Sequence, residues 1–145
     1  MRAPGGRMLC AVPETYMNES GLAAGLLVRR AGLGGELERL VVVHDELDLE
    51  IGTVRVKRGG GSAGHNGLRS LKDHLGSLEF VRVRIGIGRP PGRAAGADYV
   101  LSRPAVRERA LLEVAEEEAA DAVEAILAGG PDAAMRTVNT RSPWP

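Results

Sequence analysis

Leu40-Val-Val-Val-His-Asp-Glu46 is the stretch on which the fold turns. Its apolar half is continuous and largely β-branched, which suits a strand covered on both faces, as strands of a parallel sheet are. The run then delivers His44, Asp45 and Glu46, and the carboxyl end of a strand is where open α/β sheets usually bind ligands. Downstream, Thr53-Val-Arg-Val-Lys57 alternates apolar and basic side chains. That pattern predicts a half-exposed strand with Arg55 and Lys57 on the wet face. Phe80-Val-Arg-Val-Arg-Ile-Gly-Ile87 alternates in the same way. Upstream, Met8-Leu-Cys-Ala-Val12, closed by Pro13, predicts a short buried strand whose continuation proline blocks.

Helical spacing fills the intervals. Asn18, Glu19 and Ser20 offer caps ahead of Leu22, Ala23, Leu26 and Leu27, which share one face of a helix ending near Arg29 and stopped by Gly32, Gly34 and Gly35. Leu68, Leu71 and Leu75 line a second helix. From Pro104 to Leu127 a third is expected, with Val106, Ala110, Val114, Val123, Ile126 and Leu127 as its apolar set. Residues 131–139 form a short fourth, and 141–145 a tail. Strands interleaved with helices predict an α/β fold: a three-layer sandwich with a mixed, mainly parallel sheet flanked by helices. The 145 residues suffice for one compact domain, 1–145. About four strands is few for such a sheet, and the first has no preceding helix to cover it, so further sequence upstream is expected.

Lys+Arg and Asp+Glu balance at 19 each, but not locally. Between Gly52 and Arg93 there are nine basic residues against two acidic; from Pro104 to Gly130 there are seven acidic against two basic. A chain divided in this way can offer one face to phosphates, although two solvated surfaces give the same pattern. The single cysteine, Cys10, excludes an internal disulfide and a cysteine zinc site, in keeping with a reducing cytoplasm. No apolar run is long enough for a membrane span, and no export signal is present.

Gly59-Gly-Gly-Ser-Ala-Gly-His-Asn-Gly67 is rich in residues able to take positive φ and leads into a helix, where backbone N–H groups attract anions. Its glycine spacing fits neither the Walker nor the dinucleotide pattern, so no nucleotide cofactor is expected. His44-Asp45 and His65-Asn66 look like parts of a hydrolytic site, with a carboxylate to orient an imidazole and amides to hold a carbonyl or water. Taken singly, a histidine after a strand is more often structural than catalytic, and Asp45 with Glu46 and Asp48 can serve merely to cap a turn. His74 suggests no role, and no Gly-x-Ser-x-Gly elbow supports serine chemistry.

Four blocks in order carry a resemblance: Tyr16-Met-Asn-Glu-Ser-Gly21, His44-Asp-Glu-Leu-Asp-Leu49, Gly59-Gly-Gly-Ser-Ala-Gly-His-Asn-Gly-Leu68 and Arg82-Val-Arg-Ile-Gly-Ile-Gly-Arg-Pro90. Together they resemble the signature blocks of bacterial peptidyl-tRNA hydrolase, from about Met8 to Asn139. The resemblance implies hydrolysis of the ester joining peptide to tRNA, by a cytoplasmic monomer needing neither metal nor cofactor, with peptidyl-tRNA as partner and no membrane. By that resemblance Asn18 and Asn66 position the substrate and attacking water, and Asp45 hydrogen-bonds the catalytic imidazole. Tyr16 and Met17 line the crevice, and His65 belongs with the substrate-binding residues. Arg55, Lys57, Arg84 and Arg93 are candidates for tRNA phosphates on their charge.

The family's general-base histidine sits in an Arg-His-Asn segment upstream of the Tyr-Met-Asn block, after a first strand and a Gly-Asn-Pro-Gly turn. Neither motif is in this sequence, and His44, His65 and His74 occupy family positions of their own. The expectation is a chain that starts too late at Met1, with a genuine fragment as a second explanation; it lacks the family's first strand and helix and is poorly active and poorly stable as written. The alternative is a noncatalytic tRNA- or RNA-binding paralogue with the same cationic face. A general small-ester hydrolase is a third, weaker option. On the main reading Asp45, Asn18 and Asn66 converge on one crevice bordered by positive charge.

Overall fold

The computed structural model describes residues 2–3, 6–62, 64–88 and 106–141. The chain is α/β with a mixed sheet, as expected. Its elements are β1 (Arg2–Ala3), β2 (Gly6–Arg7), α1 (Ser20–Arg30), β3 (Val41–Glu46), β4 (Val54–Arg58), α2 (Asn66–Leu75), β5 (Val81–Gly86), α3 (Val106–Gly129) and α4 (Pro131–Val138), with 3-10 turns at Met17–Glu19 and Leu37–Arg39. β1 and β2 form a minimal antiparallel ladder of their own.

The main sheet has the order β3-β5-β4. The N–H of Val81 donates to Leu40 O at 3.0 Å, and that of Ile87 to Glu46 O at 3.0 Å. Both chains advance together between those bonds, so β3 and β5 are parallel. Against β4 the sense reverses: Gly59 N–H donates to Phe80 O at 2.9 Å, while Gly86 N–H reaches Thr53 O at 2.7 Å. β5 is therefore central. Its first residues Val81, Arg82 and Val83 are buried on both faces, although their alternation predicted a half-wet strand. Alternation in β4 reads as expected, with Val54 and Val56 buried, Arg55 half-buried and Lys57 exposed.

Contacts divide the chain into two compact units, one of residues 1–42 and 58–81, the other of 43–57 and 82–145. In the first, Val28, Leu40, Leu68, Leu71, Leu78 and Phe80 form the core, with Leu33, Leu37 and Leu75 packed on it. Each fully buried Leu or Phe contributes roughly 2 kcal/mol. α1 ends in a Schellman motif: Gly32 takes φ 70°, its N–H donates to Arg29 O, and Leu33 N–H reaches back to Val28 O. Leu33 and Val28 supply the apolar contact that accompanies such an ending. α2 stops at Gly76, which is left-handed with φ 76°.

In the second unit α3 packs against α4. The buried face of α3 is Ala115, Ala119, Ala122 and Ile126. Val106 and Val114, expected in the apolar set, are 83% and 56% exposed, and Ala110 is exposed too. Small residues at helical spacing let neighbouring elements approach closely, and alanine, not valine, forms most of the buried side of α3. The chain then runs along β4. The Asn139 side chain pairs with both main-chain groups of Val56, accepting from its N–H at 2.7 Å and donating to its carbonyl at 3.0 Å. Arg55 donates to the carbonyls of Val54 and Arg141.

The strand expected at Met8–Val12 does not form. Residues 8–12 have no regular structure, and Leu9 and Val12 are 52% and 85% exposed. An apolar run becomes a strand only where a ladder partner satisfies its backbone, and among the described residues none pairs with it.

Candidate functional site

Tyr16 precedes the first 3-10 turn and closes it, its carbonyl accepting from Glu19 N–H at 2.8 Å. Its ring is 81% exposed. Met17 and Asn18 lie in that turn, and the Asn18 side chain is exposed. The turn packs against α2, the helix that opens with Asn66. The first unit thus brings the two asparagine-bearing elements together.

The glycine-rich loop uses the conformational freedom its sequence advertises: Gly59, Gly60 and Gly64 all have positive φ. The loop closes through His65 N–H donating to Ser62 O at 2.8 Å. His65 is the N-cap of α2, its Nδ1 accepting from Leu68 N–H at 3.1 Å. An imidazole that accepts at Nδ1 carries its proton on Nε2. The ring is thereby fixed in one tautomer, and Asn66, next in the chain and exposed, begins the helix from a set position.

α1 has no such cap. Glu19 occupies the N-cap position without a side-chain bond to the helix. Gly21 N–H donates instead to Ser70 Oγ of α2 at 2.8 Å. His74 Nδ1 donates to the Ser70 carbonyl at 2.9 Å. A β-carbon on Gly21 would strike both that carbonyl and the His74 ring. Sequence alone assigns His74 no role and does not single out Ser70. The available signal was a serine between Leu68 and Leu71 on the buried side of an amphipathic helix, where a hydroxyl needs a partner. Gly21 and His74 also line a recess of about 610 Å3 with Leu22, Leu26, Arg29 and Glu38, but neither Asn18 nor Asn66 borders it.

In the second unit, His44 and Asp45 belong to β3 itself and do not follow it. His44 is buried and donates from Nδ1 to the Asp45 carbonyl at 2.8 Å; the Asp45 residue is half-buried. Arg84 of β5 stands 3.9 Å from the Glu46 carboxylate, with about a fifth of each side chain exposed, 21% and 19%. Arg55 is held by main-chain carbonyls, whereas Lys57 is exposed. Arg93 lies outside the described residues. No group of three or more His, Cys, Asp or Glu able to hold a metal occurs among the described residues, and no helix there is long and apolar enough to cross a membrane.

A mixed α/β sheet, an imidazole-capped helix after a glycine-rich loop, and exposed carboxamides on two packed elements define an α/β protein with uncharged polar groups set on rigid elements. Comparison with known proteins narrows this class. The family model for peptidyl-tRNA hydrolase matches residues 1–144. The chain is 49% identical over 127 residues to the peptidyl-tRNA hydrolase of Cutibacterium acnes, covering 88% of this chain and 62% of that protein. To the one from Rhodococcus erythropolis it is 47% identical, over 95% of this chain and 72% of the relative. The crystal structure of the Acinetobacter baumannii enzyme superposes with a TM-score of 0.81 at 35% identity, covering 90% of this chain and 65% of that one. The chain belongs to the peptidyl-tRNA hydrolase family. It spans just under two thirds of the length of the Cutibacterium and Acinetobacter proteins.

Proposed function

We propose that this chain carries the substrate-positioning part of a site that hydrolyses the ester between a peptide and the terminal ribose of tRNA, acting as a cytoplasmic monomer without metal or cofactor. The observation that carries the reading is the family match across residues 1–144, on which the asparagine and Gly-His-Asn blocks fall. Ester hydrolysis needs a base to deprotonate water, a group that fixes the base's tautomer, and donors aimed at the developing oxyanion. Asn18 and Asn66 are assigned to water, substrate carbonyl and oxyanion, since a carboxamide both donates and accepts without titrating. Asp45 orients the basic imidazole. Tyr16 and Met17 border the peptide and the tRNA end, with His65 beside them. Arg55, Lys57, Arg84 and Arg93 take tRNA phosphates. Lys57 is the strongest of these, being exposed and uncommitted to main-chain carbonyls.

The three histidines of the chain are committed through Nδ1 to their own neighbourhoods: His44 to Asp45, His65 to Leu68 and His74 to Ser70. A ring bonded through Nδ1 can still act as a base at Nε2, so these bonds do not decide the role; none of the three is assigned it because each occupies a family position other than that of the base histidine. On this reading the 145 residues alone bind peptidyl-tRNA but turn it over poorly. The noncatalytic paralogue is not favoured, because the similar proteins carry hydrolase names. The test is a paired assay of the purified chain and its Asn66→Ala variant, measuring affinity for peptidyl-tRNA and release of free tRNA. Expected are measurable binding, weakened by Asn66→Ala, and slow release insensitive to chelators. Absence of binding would sink the assignment, and rapid turnover would sink the claim that the base is lacking.

A further inference from the structure

We infer that Gly21 and Ser70 are positioning residues of this site, whose junction sets the separation of the Asn18 and Asn66 carboxamides. This rests on the role given above to those two amides. The first N–H groups of a helix have no partner within it and are ordinarily served by the side chain of the N-cap residue, which reaches the second or third helical N–H. In α1 the N-cap is Glu19, which makes no such bond, and the second helical residue is Gly21. Its N–H is served by Ser70 Oγ from α2, a buried residue 49 positions along the chain. α1 is thus capped in trans.

The consequence is geometric. A cap from its own chain neighbour fixes only the start of one helix, whereas a cap borrowed from α2 fixes α1 against α2. Asn18 lies three residues before Gly21, and Asn66 opens α2 four residues before Ser70. Each amide is within about one helical turn of the junction, so a shift there is passed on with little slack. Gly21 sets how close the helices come, because a β-carbon would meet Ser70 O and His74 Nδ1. The His74 donor in turn holds that carbonyl in place.

The test uses the full 145-residue chain, with Ser70→Ala deleting the cap, Ser70→Thr restoring a hydroxyl, and Leu71→Ala as a control that removes core beside the junction but not the bond. The probe is 3′-(N-acetylaminoacyl)amino-3′-deoxyadenosine, an amide analogue of the peptide–ribose end, titrated by NMR through the side-chain amide signals of Asn18 and Asn66. Ser70→Ala is expected to weaken binding by on the order of tenfold, about the net worth of one substrate hydrogen bond lost when a carboxamide is misplaced. Ser70→Thr recovers it, and Leu71→Ala lowers Tm at least as far with affinity unchanged. In Ser70→Ala the backbone signals of Met17–Glu19 also move. The inference is overturned if Ser70→Ala binds like the parent, if affinity falls only in step with Tm across Ser70→Ala and Leu71→Ala, or if signal changes stay within α2. Unchanged binding in Asn18→Ala and Asn66→Ala would remove the functional reading instead, and the Met17–Glu19 signals would still judge the junction.

Discussion

Helices α2 and α3 solve the same problem by different means. α2, ten residues long, is closed at both ends, by the His65 ring and by left-handed Gly76, and it buries leucines. α3 runs for 24 residues and buries Ala115, Ala119, Ala122 and Ile126, leaving Val106 and Val114 in water. In α2 large side chains hold position by the area they remove from water; in α3 small ones do so by letting the neighbour come close. The difference teaches where volume changes are tolerated. A helix held by leucine suffers from deletion, and a helix held by alanine suffers from addition.

The sharpest way to break the contrast is Leu71→Ala, expected to lower unfolding free energy by about 3 kcal/mol in urea titration, since Leu71 is 6% exposed in the core of its unit. Next comes Ala119→Leu, which overfills a site only 3% exposed and should cost roughly 2 kcal/mol. A neutral result there would mean that α3 is not held by close approach. His65→Ala removes the N-cap and should cost about 1 kcal/mol, most of it returned by His65→Asn, whose side chain also accepts from a helical N–H. If alanine and asparagine variants melt together, the imidazole does not cap. Smallest is Val114→Ala, expected to change stability by less than about 0.5 kcal/mol because the side chain is more than half in water, 56% exposed.

The same contrast explains what could be read from sequence. α2 was legible because Leu68, Leu71 and Leu75 were the large apolar residues available, and no other face competed. β4 was legible because valine and basic residues alternate without exception from Val54 to Lys57. In α3 the valines drew the eye, while an alanine stripe at the same spacing gave no contrast in a helix rich in alanine. β5 showed the alternation of a half-wet strand, yet Arg82 is buried, because what packs over each face of a strand is set by the whole fold and not by local pattern. Residues 8–12 mislead for a related reason: apolarity is local, but a ladder partner is not. Of the candidate site, the asparagines and the Gly-His-Asn block could be read as motifs. The trans cap could not, since Gly21 and Ser70 meet only after both helices have formed.

The side-chain amide of Asn139 presents to Val56 the same donor and acceptor that a neighbouring strand would present. Those two groups of β4 point away from β5, toward the side on which a sheet grows. With them occupied, and with Arg55 drawing in the Arg141 carbonyl beside them, a passing extended chain finds the middle rung of β4 already taken. A single carboxamide thus blunts the β4 edge among the described residues, a safeguard against edge-to-edge aggregation that needs neither a proline nor a bulge.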